Sequence, residues 1–217
     1  GMLNFPRRAH YANLLPNGQV LISGGYNGGV NNGQGGSLPF AELFDPTQGT
    51  FTALQGKDMV WPRENGSAHV LPSGSVLHVG GQLFAATQSN PTVSLYMAPD
   101  SELYDAANGA SAGAALNESR RFHGAVQEAN GDVVVFAGDL GGAQTATVER
   151  YDAAAATFTT VGSLTTARAR AKAVLVGGAA LVVGGVTLDF TAGTATDVAS
   201  GELFDLTNAV SESYQLQ

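Results

Sequence analysis

A three-part pattern recurs four times along this chain, so its fold is built from repeated units. The first part is led by arginine: Arg7-Arg8-Ala9-His10, Arg63-Glu64-Asn65-Gly66, Arg120-Arg121-Phe122-His123 and, at an offset of 160 from the first, Ala167-Arg168-Ala169-Arg170. The second is a turn pair followed by an apolar run. The turn pairs are Asn17-Gly18, Ser73-Gly74, Asn130-Gly131 and Gly177-Gly178, and the runs close on the doublets Gly24-Gly25, Gly80-Gly81, Ala137-Gly138 and Gly184-Gly185. The third reads Glu42-Leu43-Phe44-Asp45, Glu102-Leu103-Tyr104-Asp105, Glu149-Arg150-Tyr151-Asp152 and Glu202-Leu203-Phe204-Asp205, with Phe51 and Phe158 following six residues after the Asp in two copies.

Turn pairs between apolar stretches are a strong hairpin signal. Glycine in the doublets permits positive φ or a close backbone approach. Each unit therefore supplies four short strands: the arginine-led strand, the run into the doublet, the Glu-x-aromatic-Asp strand and a short last one. Composition agrees, with 29 glycines in 217 residues, only 13% charged residues and 44% hydrophobic ones. Units of this length carrying four strands predict the blades of a β-propeller.

The pattern resembles the kelch repeat, in particular the bacterial repeats similar to the central propeller of galactose oxidase. The resemblance covers residues 5–217 and implies one all-β domain: a propeller of four kelch-like, four-stranded blades, about 5–58, 59–116, 117–163 and 164–217. Kelch propellers usually carry six or seven blades and close with a blade built from both termini. This chain holds four, and no strand is spare for such a clasp. Three arrangements stay open: a self-closed four-blade ring, a homodimer forming an eight-blade ring, or an open fragment with exposed blade faces.

Composition excludes several classes. The net charge of −8 argues against nucleic acid as a partner. The absence of cysteine removes disulfides, thiolate nucleophiles and Cys-ligated metals. The longest apolar stretch, Ala173 to Val186, contains four glycines and is too short for a bilayer, so no membrane is expected. With Gly1 set aside and Met2 as the natural start, no secretion signal is visible, which makes the cytoplasm the default location.

Eight of the ten Lys and Arg residues open a repeat; Lys57 and Arg150 are the exceptions. In a propeller that segment leads into the innermost strand at one mouth of the channel. The inserts after the doublets, Tyr26 to Ser37, Gln82 to Asp100, Asp139 to Thr145 and Val186 to Ser200, gather at the same mouth, and long loops on a rigid scaffold tend to carry function. The expected ligand-binding residues are Arg7, Arg8, His10, Arg63, Glu64, Arg120, Arg121, His123, Arg168 and Arg170. Phe84 and Tyr96, in the longest insert, are expected as exposed aromatic contacts, with Tyr26 and Trp61 as weaker candidates. Arginine offers a planar fork suited to carboxylate, sulfate or phosphate.

The competing reading is structural, because a repeated Arg beside a repeated Glu makes a natural ion pair within or between blades. At the offset of 160, Arg7, Arg63 and Arg120 share a column with Ala167. Arg8, Arg121 and Arg168 share the next with Glu64. His10 and His123 align with Gly66 and Arg170. Glu64 and Arg170 break the pattern and are the sharper functional candidates. His10 facing His123 would invite a metal, yet Arg170 in that tier repels a cation and no carboxylate shares the column, so no metal is expected. His69 is expected to line the channel and His78 to be a satisfied interior histidine.

Two kelch enzymes offer precedents by resemblance. Galactose oxidase holds copper with tyrosines and histidines, one tyrosine being crosslinked to a cysteine; without cysteine that centre cannot be built. The kelch-type sialic acid mutarotase handles an acidic sugar at its propeller mouth, and that resemblance implies Glu64 or His123 as proton carriers. No nucleophile elbow, P-loop, dinucleotide fingerprint or zinc-protease motif is present. The expectation is a non-catalytic binding module without a cofactor, taking a protein or a small anionic or carbohydrate ligand at the arginine-rich mouth. The alternative is a carbohydrate-active enzyme of the mutarotase type.

Overall fold

Alternating apolar runs broken by glycine turns favour short antiparallel strands over helices. The structure, a computed structural model describing residues 1–28, 35–85 and 94–215, is all-β: 22 strands and, among these residues, no helix. The chain divides into two compact units, Gly1–Ala114 and Ala115–Gln217.

Unit 1 begins with β1 (Tyr11–Leu14) and β2 (Val20–Ser23), followed by the short ribbon β3 (Tyr26–Asn27) and β4 (Gly36–Ser37), then β5 (Ala41–Asp45) and β6 (Thr50–Ala53). It continues with β7 (Ser67–Val70), β8 (Val76–Val79), the ribbon β9 (Gln82–Ala85) and β10 (Ser94–Met97), β11 (Asp100–Asp105) and β12 (Gly109–Ala115). Strands β1-β2-β5-β6 form sheet I and β7-β8-β11-β12 form sheet II.

In unit 2, β13 (Gly124–Gln127), β14 (Val133–Asp139), β15 (Gln144–Asp152) and β16 (Thr157–Ser163) form sheet III. Sheet IV joins β17 (Lys172–Val176), β18 (Ala179–Val183), β21 (Ser200–Asp205) and β22 (Val210–Gln215), with the ribbon β19 (Val186–Asp189) and β20 (Thr194–Asp197) inserted. The four sheets thus share one strand order. The ribbons inside the inserts were not legible in the sequence. Residues 29–34 and 86–93 of the first two inserts lie outside the described residues.

The turn pairs act as their chemistry dictates. Asn17 Oδ1 accepts from the Gln19 amide at 3.0 Å and Asn130 Oδ1 from the Asp132 amide at 3.0 Å, side chains closing the turn over a left-handed glycine. In sheet IV, Val176 pairs directly with Ala179, so Gly177-Gly178 makes a two-residue hairpin. The Asp that ends each Glu-x-aromatic-Asp strand caps the next turn; Asp45 Oδ1, for example, accepts from the amides of Thr47 and Gln48. The second doublet glycine serves both predicted purposes: Gly81 has φ 98°, and a Cβ there would lie 2.7 Å from the Glu64 carbonyl.

Because side chains alternate, each sheet has two faces. One, here the forward face, packs on the next sheet of its unit; the other is the rear face. In unit 1 the forward face of sheet I (Leu21, Ala41, Leu43) meets the rear face of sheet II (Val76, Tyr104, Ala68). In unit 2 the forward face of sheet III (Val126, Val134, Phe136, Val148) meets the rear face of sheet IV (Ala180, Val182, Phe204).

Candidate functional site

Four of the predicted ligand-binding arginines do not reach solvent. Arg7, Arg63, Arg120 and Arg168 have fully buried side chains paired with Glu42, Glu102, Glu149 and Glu202, at 2.9, 3.3, 2.6 and 2.6 Å. The same lock is built four times. One guanidinium nitrogen donates to the carbonyl of the doublet's first residue, as Arg168 Nη1 does to Gly184 at 3.1 Å, and to a carbonyl at or just before the third strand, here Ser200 at 2.9 Å. The glutamate then accepts backbone amides from the segment ahead of the arginine, as Glu149 does from Asn117 and Glu118 at 2.7 and 3.1 Å. The arginine so fixes the incoming segment, the doublet and the third strand at one point.

Burial alone would raise the Glu42 and Glu202 carboxyls, but the amides donating to them and the facing arginines hold both below the usual carboxylate range. Sheet II has the weakest lock: the pair is longest there, Arg63 Nε has no partner among the described residues, and burial leaves the Glu102 carboxyl raised despite Arg63.

These pairs correct the fourth repeat by one residue. Arg168, not Ala167, is the counterpart of Arg7, Arg63 and Arg120. The next column is Arg8, Glu64, Arg121 and Ala169, each making an isolated bridge, to Tyr26, Gln82, Asp139 and Val186. The column after it is Ala9, Asn65, Phe122 and Arg170, all left-handed at φ 52°, 59°, 54° and 64°. Arg170 is therefore not the counterpart of His10 and His123; Ala171 is. The sequence alignment missed this because Ala-Arg-Ala-Arg matches itself in two registers.

At the doublet end of unit 1 the predicted residues gather. The Arg8 guanidinium lies over the Tyr26 ring at 4.7 Å, held there by backbone hydrogen bonds between the two residues of 3.0 and 2.8 Å. Phe84 meets Tyr26 edge-on at 5.8 Å, and its amide donates to Ser37 Oγ at 2.9 Å. Glu64 is buried beside Gln82, whose Nε2 donates to Glu64 Oε1 at 3.2 Å. His10 is exposed, and partial burial and the charge of Arg7 lower its pKa. Tyr96 stands exposed on β10 opposite Leu83, while Trp61 is exposed and its amide donates to Glu102 at 3.1 Å, as part of the lock.

In unit 2 the corresponding end brings two guanidinium groups to the Phe122 ring, Arg170 at 4.8 Å and Arg121 at 5.3 Å from its centroid. Arg121 is also paired with the buried Asp139, Nη2 at 2.7 Å and Nε at 2.9 Å from Oδ2. The Arg170 amide donates to the Phe122 carbonyl at 2.6 Å, which fixes the two residues relative to each other. Arg170 is exposed and has no carboxylate partner among the described residues; His123 is half-buried beside this cluster. Phe122, Tyr26 and Asp139 carry more of this geometry than the sequence reading gave them. Placing Phe122 correctly required the left-handed column, which the one-residue slip had hidden.

His69 and His78 both lie in sheet II, on β7 and β8. Burial lowers His69 to about 4. Burial, with Arg63 and His69 nearby, lowers His78 to about 3, and its Nε2 shares a hydrogen bond with Ser23 Oγ at 2.8 Å. Among the described residues no group of three or more His, Asp or Glu is placed to hold a metal ion.

No protein-family model matches the chain, and no curated protein matches it either. Solved structures do share its fold. One is the structure of YjhT, matched with a TM-score of 0.76 over 98% of this chain and 71% of that one, at 11% identity. That likeness establishes the fold and nothing of the chemistry.

Proposed function

We propose that the chain is a binding module built of four kelch-like blades, taking an anionic ligand with a flat or apolar face, such as an acidic carbohydrate, at the doublet ends of its sheets. One observation carries this reading. Phe122 and Arg170 occupy left-handed backbone positions, where a bulky side chain costs roughly 1–2 kcal/mol and glycine or asparagine would fold more easily. Both are nevertheless large, they stack on each other, and the Arg170 guanidinium has no carboxylate partner among the described residues. A side chain kept where folding disfavours it fits a role in binding. The stacked ring offers an apolar face, and the guanidinium a fork for a carboxylate or phosphate.

Titration calorimetry with glucuronate and with inorganic phosphate tests the reading. Arg170→Ala abolishes binding and leaves the melting temperature within about 2 °C, since exposed substitutions usually change stability by no more than about 0.5 kcal/mol. Unchanged binding in that variant overturns the proposal.

The alternative is an acidic-sugar mutarotase, and Glu64 supports it. It is the one carboxylate in a column otherwise filled by Arg8, Arg121 and Ala169, buried at the doublet end where Arg8 and Tyr26 also lie. Polarimetry of anomer interconversion separates the readings. Acceleration that is lost in Glu64→Gln favours the enzyme; its absence leaves the binding module.

A further inference from the structure

We infer that the forward face of sheet IV docks on the rear face of sheet I of a second copy of this chain. Alternation and register put Val174, Val176, Leu181, Leu203, Val210 and Tyr214 on the forward face of sheet IV. Val174 is 55% exposed, whereas its sheet III counterpart Val126 is at 5%; Leu181 is half-buried where its counterpart Val134 is at 0%, and Val176 and Val210 on the same face are 52% and 55% exposed. Sheet I shows the complementary defect on its rear face. Leu14 is 67% exposed, and Phe44 is only half-buried, whereas Tyr104, Tyr151 and Phe204 at its position are at 1–2%.

Each surface thus lacks the partner that the other supplies. The occupant follows from the repeat itself. Every forward face packed within a unit packs on a rear face of the same design: the lock glutamate, the aromatic before the Asp, and small residues on the first strand. Sheet I of another copy carries that design in Glu42, Phe44 and Ala12.

Register is specified as well. In unit 2 the forward-face Gly124 of β13 lies against Ala173 of β17, a Cβ at Gly124 standing 3.3 Å from that of Ala173. The equivalent contact across the copies sets Lys172 against Ala12, and one pair further along sets Val174 against Leu14. The contact is head-to-tail, and a dimer in which both copies use both faces leaves neither face open.

The chain has no cysteine, so introduced thiols report without interference. Leu14→Cys and Val174→Cys chains are purified separately, mixed, and treated with a short bismaleimide, with light scattering of the unmodified protein over a dilution series alongside. The expected result is a particle of twice the chain mass, with crosslinks in the mixture but in neither variant alone. Val174→Asp, at an exposed site the fold does not need, returns the protein to a monomer with an unchanged circular dichroism spectrum. A monomer at all concentrations overturns the inference. So do crosslinks within a single variant, which mean like faces meet, and crosslinks confined to one chain in the Leu14→Cys, Val174→Cys double variant, which mean self-closure. These outcomes are independent of Arg170 and of ligand binding.

Discussion

The two units are made from one repeat, yet their sheets are joined by different chemistry. In unit 1 the contact between sheets sets polar pairs beside the apolar Leu21, Ala41, Val76 and Tyr104. Tyr11 Oη accepts from the Gly66 amide at 3.0 Å, Asn13 Nδ2 donates to the Ala68 carbonyl at 3.0 Å, and Ser23 bonds to His78. In unit 2 the same face is hydrocarbon: Val126, Val134, Phe136 and Val148 pack on Ala180, Val182 and Phe204, with the rings of Phe136 and Phe204 edge-on at 5.6 Å. Topology is fixed by the locks and doublets, which are common to all four sheets. The packing face is free to change as long as it is satisfied. A polar face buys direction, and it becomes sensitive to proton concentration.

The largest effects should come from unit 2's core and from the locks. Phe136→Ala removes a fully buried ring and should cost about 3–5 kcal/mol in urea unfolding. Glu202→Gln removes the carboxylate paired with the buried Arg168 and should cost a similar roughly 3–5 kcal/mol. The same change at Glu102, whose lock is longest and whose carboxyl is already raised, should cost distinctly less. Tyr11→Phe in unit 1 leaves the Gly66 amide without its acceptor and should cost about 1–3 kcal/mol. A Tyr11→Phe penalty equal to that of Phe136→Ala would break the contrast between the units.

Acid sharpens the contrast. Both histidines are depressed in the folded state, so the unfolded chain binds protons first. Their contribution to stability is complete above about pH 6.5 and is lost as pH falls toward about 4 for His69 and about 3 for His78. Between pH 6.5 and 5, each histidine should add a slope of up to about 1.4 kcal/mol per pH unit. Glu42 and Glu202, held low, lose their contribution only at lower pH, and Glu102, held high, works weakly in the opposite sense. His78→Asn, at the histidine that bonds to Ser23 across the contact between sheets I and II, should remove one proton's worth of that slope. An unchanged slope would mean that the polar contact is not what titrates.

These contrasts show which parts of the molecule the sequence exposes. Strand order, hairpin turns and doublets were legible because each depends on local backbone chemistry repeated four times. The locks were legible as a possibility, since Arg and Glu recur together, but their burial was not, because a charge pattern does not say which side faces water. The chemistry of the packing faces was hidden for another reason: Asn13 and His69 occupy the same position as Val126, so period-2 patterning fails where a sheet face is polar and buried. The ribbons β3-β4, β9-β10 and β19-β20 lie in inserts with little common sequence. The slip in the fourth repeat moved Arg168 into a surface column and removed Arg170 from the column that explains it.

That slip also yields the smallest and most pointed expectation. Arg168 and Arg170 are two residues apart and should respond in opposite ways. Arg168→Ala opens a buried lock around Glu202, Gly184 and Ser200 and should destabilise by several kcal/mol, on the order of the 3–5 expected for a broken buried pair. Arg170→Gly removes an exposed side chain from a left-handed position at φ 64°. The relief of about 1–2 kcal/mol is partly offset by glycine's greater freedom in the unfolded chain, about 0.5–1 kcal/mol, so stability should stay level or rise slightly. A thermal melt of the two variants reads both effects. Loss of stability in Arg170→Gly comparable to that in Arg168→Ala would make Arg170 part of the scaffold. A level or raised melting temperature, combined with lost ligand binding, means that the strain at this position serves the site rather than the fold.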